Sequence, residues 1–310
     1  MQGWRKRMED AHIHKLGIGE SKTVDIYGVF DGHGGKEVSQ FVKAHFVAEL
    51  EKNENFKKND YKKALKETFL KMDDLMRTPQ GKNEIVQNSN KSKEEDEAQK
   101  AKIGPQNPQE EMFLNLMKPK LDPNDPAKFI GCTSCVCLVD NAKKQLYFAN
   151  SGDSRVVLCK KGLAYPMSID HKPELDIEKN RIINAGGFIN EGRIKGNLNL
   201  SRGLGDLEYK NNKHLSPEDQ MITANPDIIQ EELTKDCDFI IIGCDGIWDC
   251  LSNQEACDYV NNKLTKNPNE KLSKIVEDMM DSIIATDIYN ENGIGCDNMT
   301  CMIIQFIHQH

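Results

Sequence analysis

The sequence predicts an α+β fold with antiparallel sheets. Three observations predict it: short apolar runs come in hairpin-like series, helical patterns arrive in pairs, and the two do not alternate one for one as βαβ units would.

Val24 to Phe30 is apolar and β-prone and ends at Asp31-Gly32. Lys36 to Leu50 carries Val38, Phe41, Val42, His45, Phe46 and Leu50 at helical spacing, and Tyr61 to Met76 repeats the pattern with Leu65, Phe69, Met72 and Leu75. Residues 78–129 break it. They hold six of the chain's eleven prolines and the charge run Lys91 to Lys102, with few helix or strand candidates apart from Met112 to Met117. This composition predicts a charged, Pro-rich, mobile insertion, with Met112 to Met117 as an apolar anchor if the segment docks.

Beyond it, Ser134 to Asp140, Gln145 to Ser151 and Arg155 to Cys159 are punctuated by Asn141-Ala142-Lys143-Lys144 and Gly152-Asp153-Ser154, which predicts an antiparallel meander. Glu174 to Ala185 reads as a helix stopped by Gly186-Gly187. Asp238 to Cys244 is a buried strand ending at Asp245-Gly246. Ser252-Asn253-Gln254-Glu255 has the form of a capping box opening a helix to about Leu264. Leu272 to Thr286 is a further helix, and Met299 to Ile307 the closing strand.

The length suits one large core or two modest ones. A formal net charge of −8 and a pI near 5.6 argue against a nucleic-acid partner, whose phosphates need a basic face. Cys135, Cys137, Cys244 and Cys301 lie in apolar runs, where a thiol behaves as a small hydrophobe. Cys132-Thr133-Ser134-Cys135 has no second pair to complete a zinc site, so reduced thiols in a cytoplasmic or nuclear compartment are expected. No signal peptide, lipidation motif or membrane-length apolar run is seen, and a soluble monomer is expected.

One recurrence points to chemistry. Apolar runs, or turns beside them, end in an Asp next to Gly or another turn residue at Asp31, Asp153, Asp206, Asp245 and Asp297. A strand end is a rigid mount for a side chain facing a cleft. Several carboxylates can converge there only around a cation, because their repulsion at low dielectric is severe. Oxygen ligands select a hard ion such as Mg²⁺ or Mn²⁺. Trp4-Arg5-Lys6-Arg7 offers a guanidinium suited to phosphate, and His33 a proton donor to a leaving alkoxide. A phosphate clamp, a cation site and an acid together suggest phosphate-ester hydrolysis.

The ordered segments that bear this chemistry are Gly3-Trp4-Arg5 to His12, Val29 to Gly35, Gly131-Cys132-Thr133, Asn150 to Arg155, Asp170-His171-Lys172-Pro173, Ala185-Gly186-Gly187, Leu200 to Asp206, Cys244 to Asp249 and Gly295 to Thr300. Together they resemble the type 2C metal-dependent protein serine/threonine phosphatases over nearly the whole chain, the insertion excepted. The resemblance implies a single catalytic domain over residues 1–310, built as a four-layer α-β-β-α sandwich of two antiparallel sheets flanked by helices. It implies that Asp31 bridges two ions, that Asp245 and Asp297 hold one of them, and that the Gly32 carbonyl ligates the other. Glu9 and Asp10 would act through waters on the ions. Asp153 and Asp249, with Asp245, would hold a third, weaker ion. Arg5 would bind the substrate phosphate, His33 would be the general acid, and Thr133 would orient a water.

The resemblance further implies phosphorylated protein substrates, attacked by a metal-activated water, with a flap within residues 184–219. No thiol-phosphatase Cys-x5-Arg signature and no Walker loop is present. The family usually has a short strand ahead of Gly3-Trp4-Arg5. Here the chain starts almost on the motif, a departure expected to touch stability more than chemistry. Gly203 stands where Ala is usual, a change that should be tolerated. The position of the insertion and the match of Leu215 to Gln220 are most similar to the gamma-type branch, which carries an acidic insert there. The competing readings are a catalytically weak pseudophosphatase scaffold and a small-molecule phosphomonoesterase.

Overall fold

The computed structural model describes residues 1–103, 122–287 and 293–307, the side chains of 92–103 apart. The chain opens with β1 (Ala11–Ile18), β2 (Val24–Phe30) and the short β3 (Gly32–His33). Four helices follow: α1 (Glu37–Lys52), α2 (Glu54–Lys57), α3 (Tyr61–Arg77) and α4 (Pro79–Ile103). Next come β4 (Gly131–Cys132), β5 (Ser134–Asp140), β6 (Gln145–Ser151), β7 (Arg155–Lys160) and β8 (Leu163–Pro166). Helix α5 (Asp176–Asn184) precedes β9 (Ile189–Asn190), β10 (Arg193–Ile194) and β11 (Leu204–Gly205). The last elements are β12 (Asp227–Glu232), β13 (Cys237–Gly243), α6 (Asp245–Trp248), α7 (Asn253–Lys266), α8 (Leu272–Ile283) and β14 (Cys301–Gln305).

Two antiparallel sheets dominate, ordered β1-β2-β5-β6-β12 and β14-β13-β7-β8. Successive side chains on a strand point to opposite faces, and here both faces are covered. On β13, Ile240 and Ile242 join Val29, Cys135, Phe148, Val156 and Leu158 between the sheets. Phe239 and Ile241 face the other way, onto Val260 of α7 and Ile275 and Met279 of α8. On the far side, Phe41, Phe46, Leu50, Phe69 and Met72 from α1 and α3 cover Ile26, Val136 and Leu138. Each such side chain contributes roughly 1.5–3 kcal/mol on full burial. The result is the expected sandwich, helices outside two sheets.

Local signals account for several ends. Ser252 Oγ accepts from the Glu255 N–H at 3.3 Å while Glu255 Oε2 accepts from the Ser252 N–H at 2.8 Å, completing the capping box. Helix α5 stops because Gly186, at φ +85°, turns left-handed, letting the Gly186 and Gly187 N–H groups return to the carbonyls of Ile183 and Ile182, both at 2.9 Å.

Two expectations fail. Residues 78–129 are not structureless from the start: Pro79–Ile103 is helix α4. Thr78 Oγ1 accepts from the Gly81 N–H at 3.0 Å, with Pro at the first helical position. Gly81, Ile85 and Ser89, four apart, form its buried face. His45 of α1 meets Glu84 at 2.8 Å. The charge run concealed a helix start that these residues spell out; Met112 to Met117 lies outside the described residues. The meander also fails at its third strand. β5 pairs with β6, but β7 pairs with β13 and β8 in the other sheet. Gly152-Asp153-Ser154 therefore carries the chain from one sheet to the other, because β6 and β7 each have apolar side chains enough to sit in separate layers.

The register brings the ends together. Ala11 lies opposite Phe30, Ser134 opposite Ser151, and Gly243 opposite both Arg155 and Cys301. Asp10 directly precedes Ala11 and Asp31 directly follows Phe30, Asp153 and Asp245 lie two residues past Ser151 and Gly243, and Asp297 stands four residues before Cys301, so they share one end of the sandwich.

Candidate metal centre and active site

At that end, one ligand atom each from Asp31, Cys244 and Asp245 lies within 4.8 Å of the others. Asp31 is partly exposed, as a group facing a cleft must be. Burial of its carboxyl, then the charges of Asp10, Asp245 and Asp153, raise its pKa well above the ordinary carboxylate range. Asp245 is pushed up to about 7 by burial and then by Asp153, Asp249 and Asp297. Asp10 is raised too, by burial first and by Asp297 among its neighbours. Its Oδ2 accepts from Thr300 Oγ1 at 2.7 Å, while its buried Oδ1 has no hydrogen-bond partner.

An orphaned carboxylate oxygen among mutually repelling carboxylates is the environment a cation relieves. The donor set specifies which kind. Cys244 donates to the Asn298 carbonyl at 3.4 Å and accepts from the Thr300 N–H at 3.1 Å, and burial followed by Asp10 and Asp31 keeps its pKa well above the usual thiol value. The thiol is thus engaged on both sides by backbone groups, and the donors it leaves to the cleft are carboxylate oxygens. The oxygens of Asp10, Asp31 and Asp245 suit Mg²⁺ or Mn²⁺.

The remaining residues divide into those at the cluster and those beside it. Asp297 acts on Asp10, Asp245 and Asp249 through its charge and forms an ion pair with the Arg5 guanidinium. Arg5, its side chain 61% exposed, thus stands at the rim. Asn298 anchors that segment: its Nδ2 donates to the carbonyls of Gln2 and Arg7 at 2.8 and 2.9 Å, and its Oδ1 accepts from the Glu9 N–H at 2.8 Å. The Glu9 carboxyl is raised by burial, against Arg7, with Glu37 adding. Asp153 is buried and forms an ion pair with Lys172. Partial desolvation of the Asp249 carboxyl by the surrounding protein raises its pKa, opposed by Lys172 and aided by Asp153 and Asp297. Gly32, on β3, pairs with Cys132 of β4.

Asp206, the remaining carboxylate of the recurrence, pairs with His33. Its Oδ2 lies 2.7 Å from His33 Nε2. Burial opposes a charge on His33, and the Asp206 carboxylate, with Asp153 and Glu9, outweighs it, so the imidazole pKa is raised. Gly131 makes room for the pair: a Cβ there would stand 2.2 Å from Asp206 Oδ2 and 2.7 Å from His33 Nε2. Thr133 Oγ1 accepts from the Asp31 N–H at 3.1 Å and lies 2.6 Å from Ser154 Oγ. The sequence offered no signal for the His33–Asp206 or Lys172–Asp153 pairs, since both join segments unrelated by spacing.

Such a site can hold cations on one wall, a phosphate against Arg5 and a proton on His33. The family model for protein phosphatase 2C matches residues 1–89 and 79–290. Probable protein phosphatase 2C 3 of Paramecium tetraurelia is 46% identical over 306 residues, 98% of this chain and 89% of that protein. Probable protein phosphatase 2C 21 of Arabidopsis thaliana is 42% identical over 311 residues, 99% of this chain and 85% of that protein. A solved phosphatase structure from a pathogenic strain of Toxoplasma gondii superposes with a TM-score of 0.70 at 22% identity, covering 99% of this chain and 90% of that one, a likeness of fold alone.

Proposed function

The chain belongs to the protein phosphatase 2C family and is a protein serine/threonine phosphatase; from that premise we propose that it hydrolyses phosphoserine and phosphothreonine monoesters at a pair of Mg²⁺ or Mn²⁺ ions. One observation carries the reading: Asp10, Asp31 and Asp245 converge from distant parts of the chain, with a carboxylate oxygen left unpaired among them.

Asp31, Asp245 and Asp297, with the Gly32 carbonyl, would hold the ions, and Glu9 and Asp10 would bind water around them. Bound divalent ions lower the pKa of water and neutralise charge on phosphoryl oxygens. Arg5 clamps the phosphate bidentately and aims it at the cluster. This requires Arg5 to exchange Asp297 for substrate, which its exposure permits. His33, whose protonated form Asp206 favours, hands its proton to the departing serine or threonine oxygen. The Leu215 to Gln220 segment and the position of the insertion support a place nearest the gamma-type branch.

The test compares phosphothreonine peptides, p-nitrophenyl phosphate and nucleotides as substrates under Mg²⁺ or Mn²⁺. A kcat/KM preference for the peptides is expected. Preference for nucleotides or small phosphates would make it a phosphomonoesterase of small molecules, and inactivity on all three a scaffold.

A further inference from the structure

Two loops at the edge of the cleft are locked together through Gly152 and His171. The His171 N–H donates to the Gly152 carbonyl at 3.0 Å, and the Gly152 N–H donates to His171 Nδ1 at 3.2 Å. Asn150 Nδ2 adds bonds to the carbonyls of Gly152 and Ile169, both at 3.1 Å. His171 is only 2% exposed, and its Nε2 lies 3.1 Å from Asp227 Oδ2. One residue beyond each half of this joint stand Asp153 and Lys172, and they form an ion pair.

An ordinary surface lysine wanders and pairs weakly. Lys172 is constrained on both sides. Asp170 is gripped by Arg155 through Nε and Nη2 at 3.0 and 2.7 Å, and Pro173 restricts the backbone of the residue before it. Its partner Asp153 is 3% exposed. The ammonium is felt further out: its charge favours ionised Asp249, and Asp245 in turn favours the charged lysine. Lys172 therefore pairs with Asp153 and acts through its charge on Asp245 and Asp249, the group assigned above to a third, weaker ion.

We propose that Lys172 is a tethered cation of this outer carboxylate group: without divalent ions it neutralises Asp153, and the outer ion binds only by displacing it, so Lys172 sets how weakly that ion is held. The proposal rests on reading Asp153, Asp245 and Asp249 as metal ligands. Two effects of opposite sign follow. Removing the ammonium strips a buried carboxylate of its counter-charge, which costs stability in the metal-free protein. It also removes a competitor for the ligand oxygen and a positive charge that repels the incoming dication. A lysine that merely held the loops in place would, on removal, lower both stability and metal affinity.

The test measures Mn²⁺ binding to the full chain by the electron paramagnetic resonance signal of free Mn²⁺, together with melting in chelator. In Lys172→Met the weakest-bound Mn²⁺ should tighten roughly tenfold or more, while the metal-free protein melts a few degrees lower. Lys172→Arg, which keeps the charge, should retain weak binding. In the unmutated protein, acylation of Lys172 by an N-hydroxysuccinimide ester, read by mass spectrometry, should rise on Mn²⁺ saturation while exposed Lys179 stays constant. Equal or weaker Mn²⁺ binding in Lys172→Met, or Lys172 acylation indifferent to Mn²⁺, overturns the proposal while leaving the phosphatase site intact. Absence of any Mn²⁺ binding to the unmutated chain overturns both.

Discussion

Asp31 and Thr133 clasp one another: the Asp31 N–H donates to Thr133 Oγ1 at 3.1 Å, and the Thr133 N–H donates to the Asp31 carbonyl at 2.8 Å. Thr133 is 1% exposed, with its hydroxyl also against Ser154 Oγ. The hydroxyl thus fixes the backbone of the central carboxylate. Thr133→Ala leaves the Asp31 N–H without its acceptor, which should cost about 1–3 kcal/mol in urea unfolding and weaken Mn²⁺ binding. Thr133→Ser should behave nearly as the unmutated chain. Equal stability of the alanine variant would contradict this.

Stability should depend on pH in a metal-dependent way. A carboxyl whose folded pKa is raised holds its proton more tightly folded than unfolded, so stability falls as pH climbs from the unfolded value, about 4, through the folded one. Asp245, pushed up to about 7, acts in this direction with Asp31 and Asp10. His33, also raised, adds stability that is lost as pH rises through its folded pKa. Glu178 runs the other way: against burial, Arg202 and Arg181 hold it down to about 2, and Asp227 is lowered by His171 and Arg202. Their contribution is present above about pH 4 and lost as pH falls through the lowered values. In chelator the protein should melt higher at about pH 5 than at about pH 7.5, and saturating Mn²⁺ should remove or reverse the difference. A metal-free melting temperature that rises steadily over that window would refute it.

Asp206→Asn tests the acid. The carboxylate that favours protonated His33 is lost while the hydrogen bond can persist, so the imidazole pKa should drop. The alkaline limb of the kcat profile for a phosphopeptide should move to lower pH. An unmoved limb, with His33→Gln fully active, would remove His33 from proton transfer.

What was legible in the sequence is what neighbours encode. The Ser252 to Glu255 capping box, the glycine stop at Gly186 and the apolar runs of β5, β6, β7 and β13 are local patterns, and the structure carries each as read. The Asp-Gly recurrence found Asp31 and Asp245 because each stands within two residues of the end of its strand. It also gathered Asp206, which serves His33, since a turn carboxylate looks alike whatever it faces. Strands β1, β8 and β12 went unread: they lie at sheet edges, where partly exposed side chains dilute the apolar signal. Helix α4 was missed because its buried positions, among the described side chains, are Gly81, Ile85 and Ser89, a face recognised by spacing and not by hydrophobicity. The ion pair of Lys172 with Asp153 depends on two loops meeting, which no spacing records.

Arg5 should matter to catalysis far more than to folding. Its ion pair with Asp297 is exposed on the arginine side and worth about 1 kcal/mol or less. A bidentate charged contact to phosphate is worth more, so Arg5→Ala should lower kcat/KM roughly 10–100-fold, with melting nearly unchanged. Lowered stability with constant kinetics would make Arg5 a surface residue.

Phosphate release from a phosphothreonine peptide, followed as Mn²⁺ or Mg²⁺ is titrated into chelator-stripped protein, tests the carboxylate site most directly. The unmutated chain should be inert without metal and regain turnover as ions fill the site. Asp245→Asn should remain folded and stay nearly inactive at the same ion concentrations. Full turnover in excess chelator, or unchanged turnover in Asp245→Asn, would contradict a cation-dependent cleft.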